Sequence, residues 1–251
     1  MYICQQRQFD SYLPLPSIDV EQKNDRKNGD RLKIGIIGDS WAIDQHIGET
    51  ITAVLAQAGF QSEILSIAHP GVNSRQVYRN IFLDDDQPYS SRIIFRSDDI
   101  DYLIVLLGVN DTGGHIGKDF YAHHMLGIIK AAQERSMTPV ILESPEFGIE
   151  DSPGRGLASR AKRWLFRWLF DYGKIDVIED YRDALRQSIQ QLPQAQQPIL
   201  LDFQSVIGDY HRDRNYYSDP SHLNVVGNQK LGQAIAEKIL EQECNRKFKG
   251  S

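Results

Sequence analysis

The chain has 251 residues, 41% hydrophobic and 25% charged, which allows a sizeable core in one large α/β domain, or at most two small ones, without disulfides. A formal net charge of -6, with 28 basic and 34 acidic residues spread along the sequence, argues against a general affinity for nucleic acid or anionic membrane. Cys4 and Cys244 lie near opposite ends without metal-ligand spacing, no stretch approaches a membrane helix, and Met1 to Ser17 lacks a signal-peptide pattern, so the expected place is the cytoplasm.

Residues 1–30 read as a polar leader, surface or docked, ahead of a domain over 31–245. Leu32 to Gly38 is an apolar, β-branched run that predicts a buried strand, and Gln45 to Ala58 has the pattern of a helix. Ser62 to Ala68 predicts a second strand, Pro70-Gly71 a loop, and Ser74 to Phe82 a helix. Asp84-Asp85-Asp86-Gln87-Pro88 is expected to be a solvated connection. Tyr102 to Leu107 carries the strongest buried-strand signal and runs into a turn at Gly108-Val109-Asn110-Asp111.

Asp119 is placed to cap a helix that runs to about Met137, and Thr138 to Leu142 predicts a fourth strand. Leu157 to Tyr172 carries Trp164, Leu165, Trp168 and Leu169 at helical spacing with Arg160, Lys162, Arg163 and Arg167 on other faces. This stripe is expected to join the core; the alternatives are a pocket wall for an acyl or sugar group, or a basic face that meets an anionic partner. Lys174 to Ile178 predicts a fifth strand, Tyr181 to Gln191 a helix, Gln190 to Gln197 a loop, and Leu223 to about Glu243 a closing helix. Strands alternating with helices imply a mainly parallel sheet with helices on both faces.

In such sheets ligands collect beyond the carboxyl ends of the strands, where the loops hold Ser40, Gly71 and Asn110. Asp39 and Ser40 alone would read as a turn or a helix cap. A serine nucleophile needs a base and a group that orients it, and Asp219 and His222, three apart in Tyr217-Ser218-Asp219-Pro220-Ser221-His222, can supply both from one turn.

Four blocks, Gly38-Asp39-Ser40, Gly71, Gly108-Val109-Asn110-Asp111 and Asp219-Pro220-Ser221-His222, together resemble the SGNH hydrolases, or GDSL esterase/lipase family, over residues 31 to 242. The resemblance implies a flavodoxin-like three-layer α/β/α fold with a mainly parallel five-stranded sheet. It implies Ser40 as nucleophile, His222 as base and Asp219 as its partner. An oxyanion hole would come from the N–H groups of Ser40 and Gly71 and the side-chain amide of Asn110. Trp41 stands where the family name expects leucine and, with Asp111, is expected to touch substrate. The second block is the weakest match, and Ser74 is an alternative donor there.

The implied activity is ester hydrolysis through an acyl-enzyme, on acyl or acetyl esters with acetylated saccharides among the candidate substrates, and with no metal or organic cofactor. The alternatives are an acyltransferase acting on a sugar hydroxyl, a lipase or thioesterase, and a non-catalytic binding protein. The expected partner is a small-molecule or saccharide ester, with neither nucleic acid nor a membrane span.

Overall fold

The computed structural model describes residues 31–82, 90–97, 99–148, 151, 158, 160–162, 164–165, 168 and 176–249. The leader over 1–30 and the Asp84 to Pro88 connection lie outside these residues, as does much of Leu157 to Tyr172.

Five parallel strands form the central sheet: β1 (Leu32–Gly38), β2 (Ser62–Ala68), β3 (Tyr102–Leu106), β4 (Thr138–Glu143) and β5 (Ile199–Asp202), in the order β2-β1-β3-β4-β5. β1 pairs on both edges, Ile36 lying opposite Ser66 on one side and Ile104 on the other. A strand flanked on both edges and covered on both faces has no polar side, which is why its sequence is apolar from Ile34 to Gly38. Ile34 and Ile36 point to one face, packed with Tyr102, Ile104 and Leu106, whereas Ile37 points to the other with Leu103 and Val105.

The helices are α1 (Gln45–Gln57), α2 (Ser74–Phe82), a single turn α3 (Arg92–Phe95), a short α4 (Val109–Gly113), α5 (Lys118–Glu134), α6 (Ile178–Gln190), the single turn α7 (Gln204–Ile207) and the long α8 (Val225–Lys249). α1 packs on α8 on the first face, and α5 packs between α2 and α6 on the second. The result is a three-layer α/β/α fold. Because the chain moves from β1 outward to β2 and then back across to β3, the order reverses beside β1 and opens a crevice at its carboxyl end.

Three sequence expectations change, the first being that Asp119 lies within the first turn of α5, behind the N-cap Gly117, and does not cap it. The fifth strand is Ile199–Asp202, hydrogen-bonded to β4 with Ile141 opposite Leu200, while Ile178 begins α6. The Asp180 carboxylate accepts the Val177 N–H at 2.9 Å, and this helix-starting contact takes Val177-Ile178 out of the sheet. The aromatic stripe also differs: every described residue from 158 to 168 is helical and exposed, Trp164 by 70%. Both sheet faces are already covered by α1 and α8 and by α2, α5 and α6, so neither is left for Trp164, Leu165 and Trp168 to cover.

Candidate active site

The crevice is built from strand ends that stay paired past their last strand residue. His69 N donates to Gly38 O at 2.9 Å and Asp39 N to Leu106 O at 3.1 Å, so the loops after β2 and β3 are drawn against the loop after β1. Gly38 makes this closeness possible: a Cβ there would lie 2.3 Å from Leu106 O. Beyond it Ser40 opens a single 3-10 turn, Ser40–Ala42, whose N-cap Asp39 accepts the Trp41 N–H at 3.0 Å.

Ser40 Oγ lies 2.9 Å from His222 Nε2, across 182 residues of sequence. His222 Nδ1 faces both Asp219 oxygens, at 3.0 and 2.9 Å. An ionised carboxylate can only accept, so this geometry puts the ring proton on Nδ1 and leaves Nε2 to accept from the Ser40 hydroxyl. Asp219 also accepts the N–H groups of Ser221 at 2.7 Å and His222 at 2.9 Å, which fixes the turn between the two short antiparallel strands β6 (Tyr217–Asp219) and β7 (His222–Leu223). The loop after β4 supports that turn from below, Gly148 N donating to Pro220 O at 2.8 Å.

Gly71 follows Pro70 in a turn closed by Val72 N to His69 O at 3.3 Å. Its φ of +77 is what the third position of a type II turn requires and suits glycine. Asn110, at the start of α4, donates its side-chain amide to Val72 O at 3.0 Å and so ties the third loop to the second. Ser74, the other candidate donor of that loop, is fully buried with its N–H and hydroxyl both given to the Asp111 carboxylate, at 3.0 and 2.5 Å.

Asp111 and Trp41, the two residues expected to touch substrate, are both buried. Asp111 is fully buried and closed off by Ser74. Trp41 is buried, and its indole N–H donates to Ser221 O at 2.7 Å, so it braces the histidine turn. The polar stretch before that turn also divides: Tyr210 and Tyr217 are buried and meet edge to face at 5.2 Å, whereas Arg214 reaches out over the Tyr210 ring and pairs with Asp151 at 3.7 Å.

The sequence pattern offers Asp39 only as a turn or cap residue, which it is for the Ser40 turn. It is fully buried, and its carboxyl is pushed up to about 7, first by burial and then by the Asp111 charge, with the N–H groups of Trp41 and Asn110 pulling the other way. Asp111 is likewise raised by burial, to about 6. A lone Asp before a serine carries no signal of burial, since that depends on the closeness of β1 and β3. Among the described residues no group of three His, Cys, Asp or Glu is arranged to hold a metal ion. A polar cleft of about 460 Å³ lies elsewhere, between α5 and α6, lined by Lys118, His123, Asp180 and Gln187 among others.

Comparison with known proteins agrees with this architecture. The chain resembles the solved lipase/acylhydrolase from Enterococcus faecalis at 14% identity, with a TM-score of 0.60 over 84% of this chain and 96% of that one. It also resembles an acetylxylan esterase from Geobacillus stearothermophilus at 12% identity, with a TM-score of 0.58 over 83% of this chain and 94% of that one. No curated protein matches. The model of the GDSL-like lipase/acylhydrolase family matches residues 36–230, most of the chain, and the protein is therefore a member of that family and a carboxylic ester hydrolase.

Proposed function

We propose that the protein hydrolyses acyl or acetyl esters through an acyl group carried on Ser40. His222 Nε2 takes the Ser40 proton as Oγ attacks the ester carbonyl, and Asp219 stabilises the imidazolium that forms. The N–H groups of Ser40 and Gly71 and the amide of Asn110 bind the charge that develops on the carbonyl oxygen. The alcohol leaves with the proton from His222, and a water activated by the same nitrogen releases the acid. The observation that carries this reading is the continuous contact from Ser40 Oγ to His222 Nε2 at 2.9 Å and from Nδ1 to Asp219 at 2.9 Å.

On the alcohol side the reading is an acetylated saccharide. Its supports are the half-exposed side chains of Asp219 and His222, which leave room for a bulky polar leaving group, and the fold shared with an acetylxylan esterase.

The test is turnover of p-nitrophenyl acetate and of an acetylated xylo-oligosaccharide by the protein and by Ser40→Ala, with fluorophosphonate labelling of both. Ser40→Ala is expected to lose roughly a thousandfold or more of the rate and all labelling. Turnover unchanged by that substitution would sink the assignment of the nucleophile, and acetate release from the aryl ester alone would sink the saccharide reading.

A further inference from the structure

The exposed large hydrophobic side chains among the described residues are Ile43, Trp164, Leu165, Trp168, Val225 and Val226. Three of them lie close together in the fold. Ile43 follows the Ser40 turn, Val225 and Val226 follow His222, and Asn228 Nδ2 donates to Asp44 Oδ2 at 2.7 Å, which draws these two segments together beside the crevice. The two ends of the 152–175 stretch are held at the same carboxyl edge of the sheet. Asp151 is fixed by Gly148 O, which accepts its N–H at 2.9 Å, and by the Arg214 pair, while Asp176 accepts the N–H of Lys118 at 2.9 Å.

Within that stretch Ala161, Trp164, Leu165 and Trp168 fall at the i, i+3, i+4, i+7 spacing of one helical face, and all four are exposed. The sequence from 158 to 168 supplies Arg160, Lys162, Arg163 and Arg167 and no acidic residue, in a chain whose net charge is -6. This local cationic excess runs against the charge of the whole. A second copy of the chain, pairing about a two-fold axis, would bring the same cations against each other.

We propose that the described helical residues between 158 and 168 dock this protein on an anionic lipid surface, with Trp164, Leu165 and Trp168 entering the headgroup boundary and Arg160 and Lys162 meeting lipid phosphates. A helix with an apolar face and Lys or Arg beside it lies in the plane of the interface, where indole rings are favoured and anionic headgroups attract the cations. This surface does not depend on the assignment of the nucleophile.

The experiment is co-sedimentation of the full chain with vesicles of phosphatidylglycerol and phosphatidylcholine, or of phosphatidylcholine alone, at low and high salt. The expected result is binding to the anionic vesicles about tenfold or more above the neutral ones, weakened by salt. The double substitution Trp164→Glu with Leu165→Glu, and separately Arg160→Glu with Lys162→Glu, should each lower it about tenfold, with hydrolysis of soluble p-nitrophenyl acetate unchanged. Ser40→Ala should bind vesicles as the parent does. Three results would overturn the proposal: no binding to anionic vesicles, equal binding by the parent and the Trp164 and Leu165 variant, or a dimer in solution that this variant dissociates while vesicles bind neither.

Discussion

The indole N–H of Trp41 donates to the backbone carbonyl of Ser221 at 2.7 Å, so the residue after Ser40 is tied to the residue before His222. The backbone of Trp41 is held in turn by Asp39 at 3.0 Å. A single buried side chain therefore sets the distance between two turns that come from opposite ends of the domain. Trp41→Phe removes the donor together with the pyrrole part of a buried indole, leaving a small cavity. The expected loss is about 2 to 3 kcal/mol of stability, one hydrogen bond and the cavity together, and roughly fivefold in kcat with KM nearly unchanged. Steady-state kinetics with p-nitrophenyl acetate check this, and an unaltered kcat would mean that packing alone aligns the turns.

Asp219 is half exposed, unlike the sealed acid of many serine enzymes. Asp219→Asn keeps an acceptor for the Ser221 and His222 N–H groups, so the turn should survive, but it no longer offsets the imidazolium charge. A buried partner of this kind is worth about 10⁴ in kcat. Here water can solvate the Nδ1 side, and the expected drop is smaller, about a hundredfold. A loss of less than about threefold in kcat would show that Asp219 serves the turn and not the base.

Much of this was legible in the sequence because it is carried by local chemistry. The strand–turn–serine reading at Gly38-Asp39-Ser40 and the helices at Gln45–Gln57 and Ser74–Phe82 follow from periodicity and punctuation, and the structure places them within a residue or two. Ile199–Asp202 was hidden because a four-residue strand flanked by Gln and Pro has too few side chains to show a period. The Trp164 and Trp168 stripe misled for a different reason. Helical spacing of apolar residues shows that a face exists and says nothing of what covers it. The burial of Asp39 and Asp111, and the turn of Trp41 toward Ser221, arise from contacts between loops far apart in sequence, and no local pattern encodes them.

Asn110 donates its side-chain amide to Val72 O at 3.0 Å and the same amide acts on the Asp39 carboxyl, so the oxyanion role proposed for it is tested by removing the amide. Asn110→Ala should cost about 2.7 to 4 kcal/mol of transition-state stabilisation, a hundredfold to a thousandfold in kcat, with little change in KM. Val72 is only half-buried, so water can replace the lost donor and the melting temperature should move little. A rise in KM at constant kcat would mean that Asn110 holds the ground-state ester and not the developing charge.

The carboxyl of Asp39, raised by burial and by Asp111 from the ordinary 3.8 to about 7, makes stability depend on pH in a direction opposite to that of a paired acid. At low pH Asp39 is protonated in both states and burial costs little. As pH rises past the ordinary value, the unfolded chain ionises first while the folded chain keeps its proton, and the unfolded state gains. The stability contributed by the protonated form is therefore complete below the unfolded value and is lost as pH rises toward about 7, by up to about 4 kcal/mol for a shift of this size. Asp39→Asn keeps an oxygen to accept the Trp41 N–H and cannot ionise. Melting curves from about pH 4 to about pH 8 should fall less steeply for this variant than for the parent, and the two should cross so that the variant melts higher near neutrality. Parallel curves would mean that Asp39 stays ionised within the fold, with the Asn110 and Trp41 N–H groups outweighing its burial.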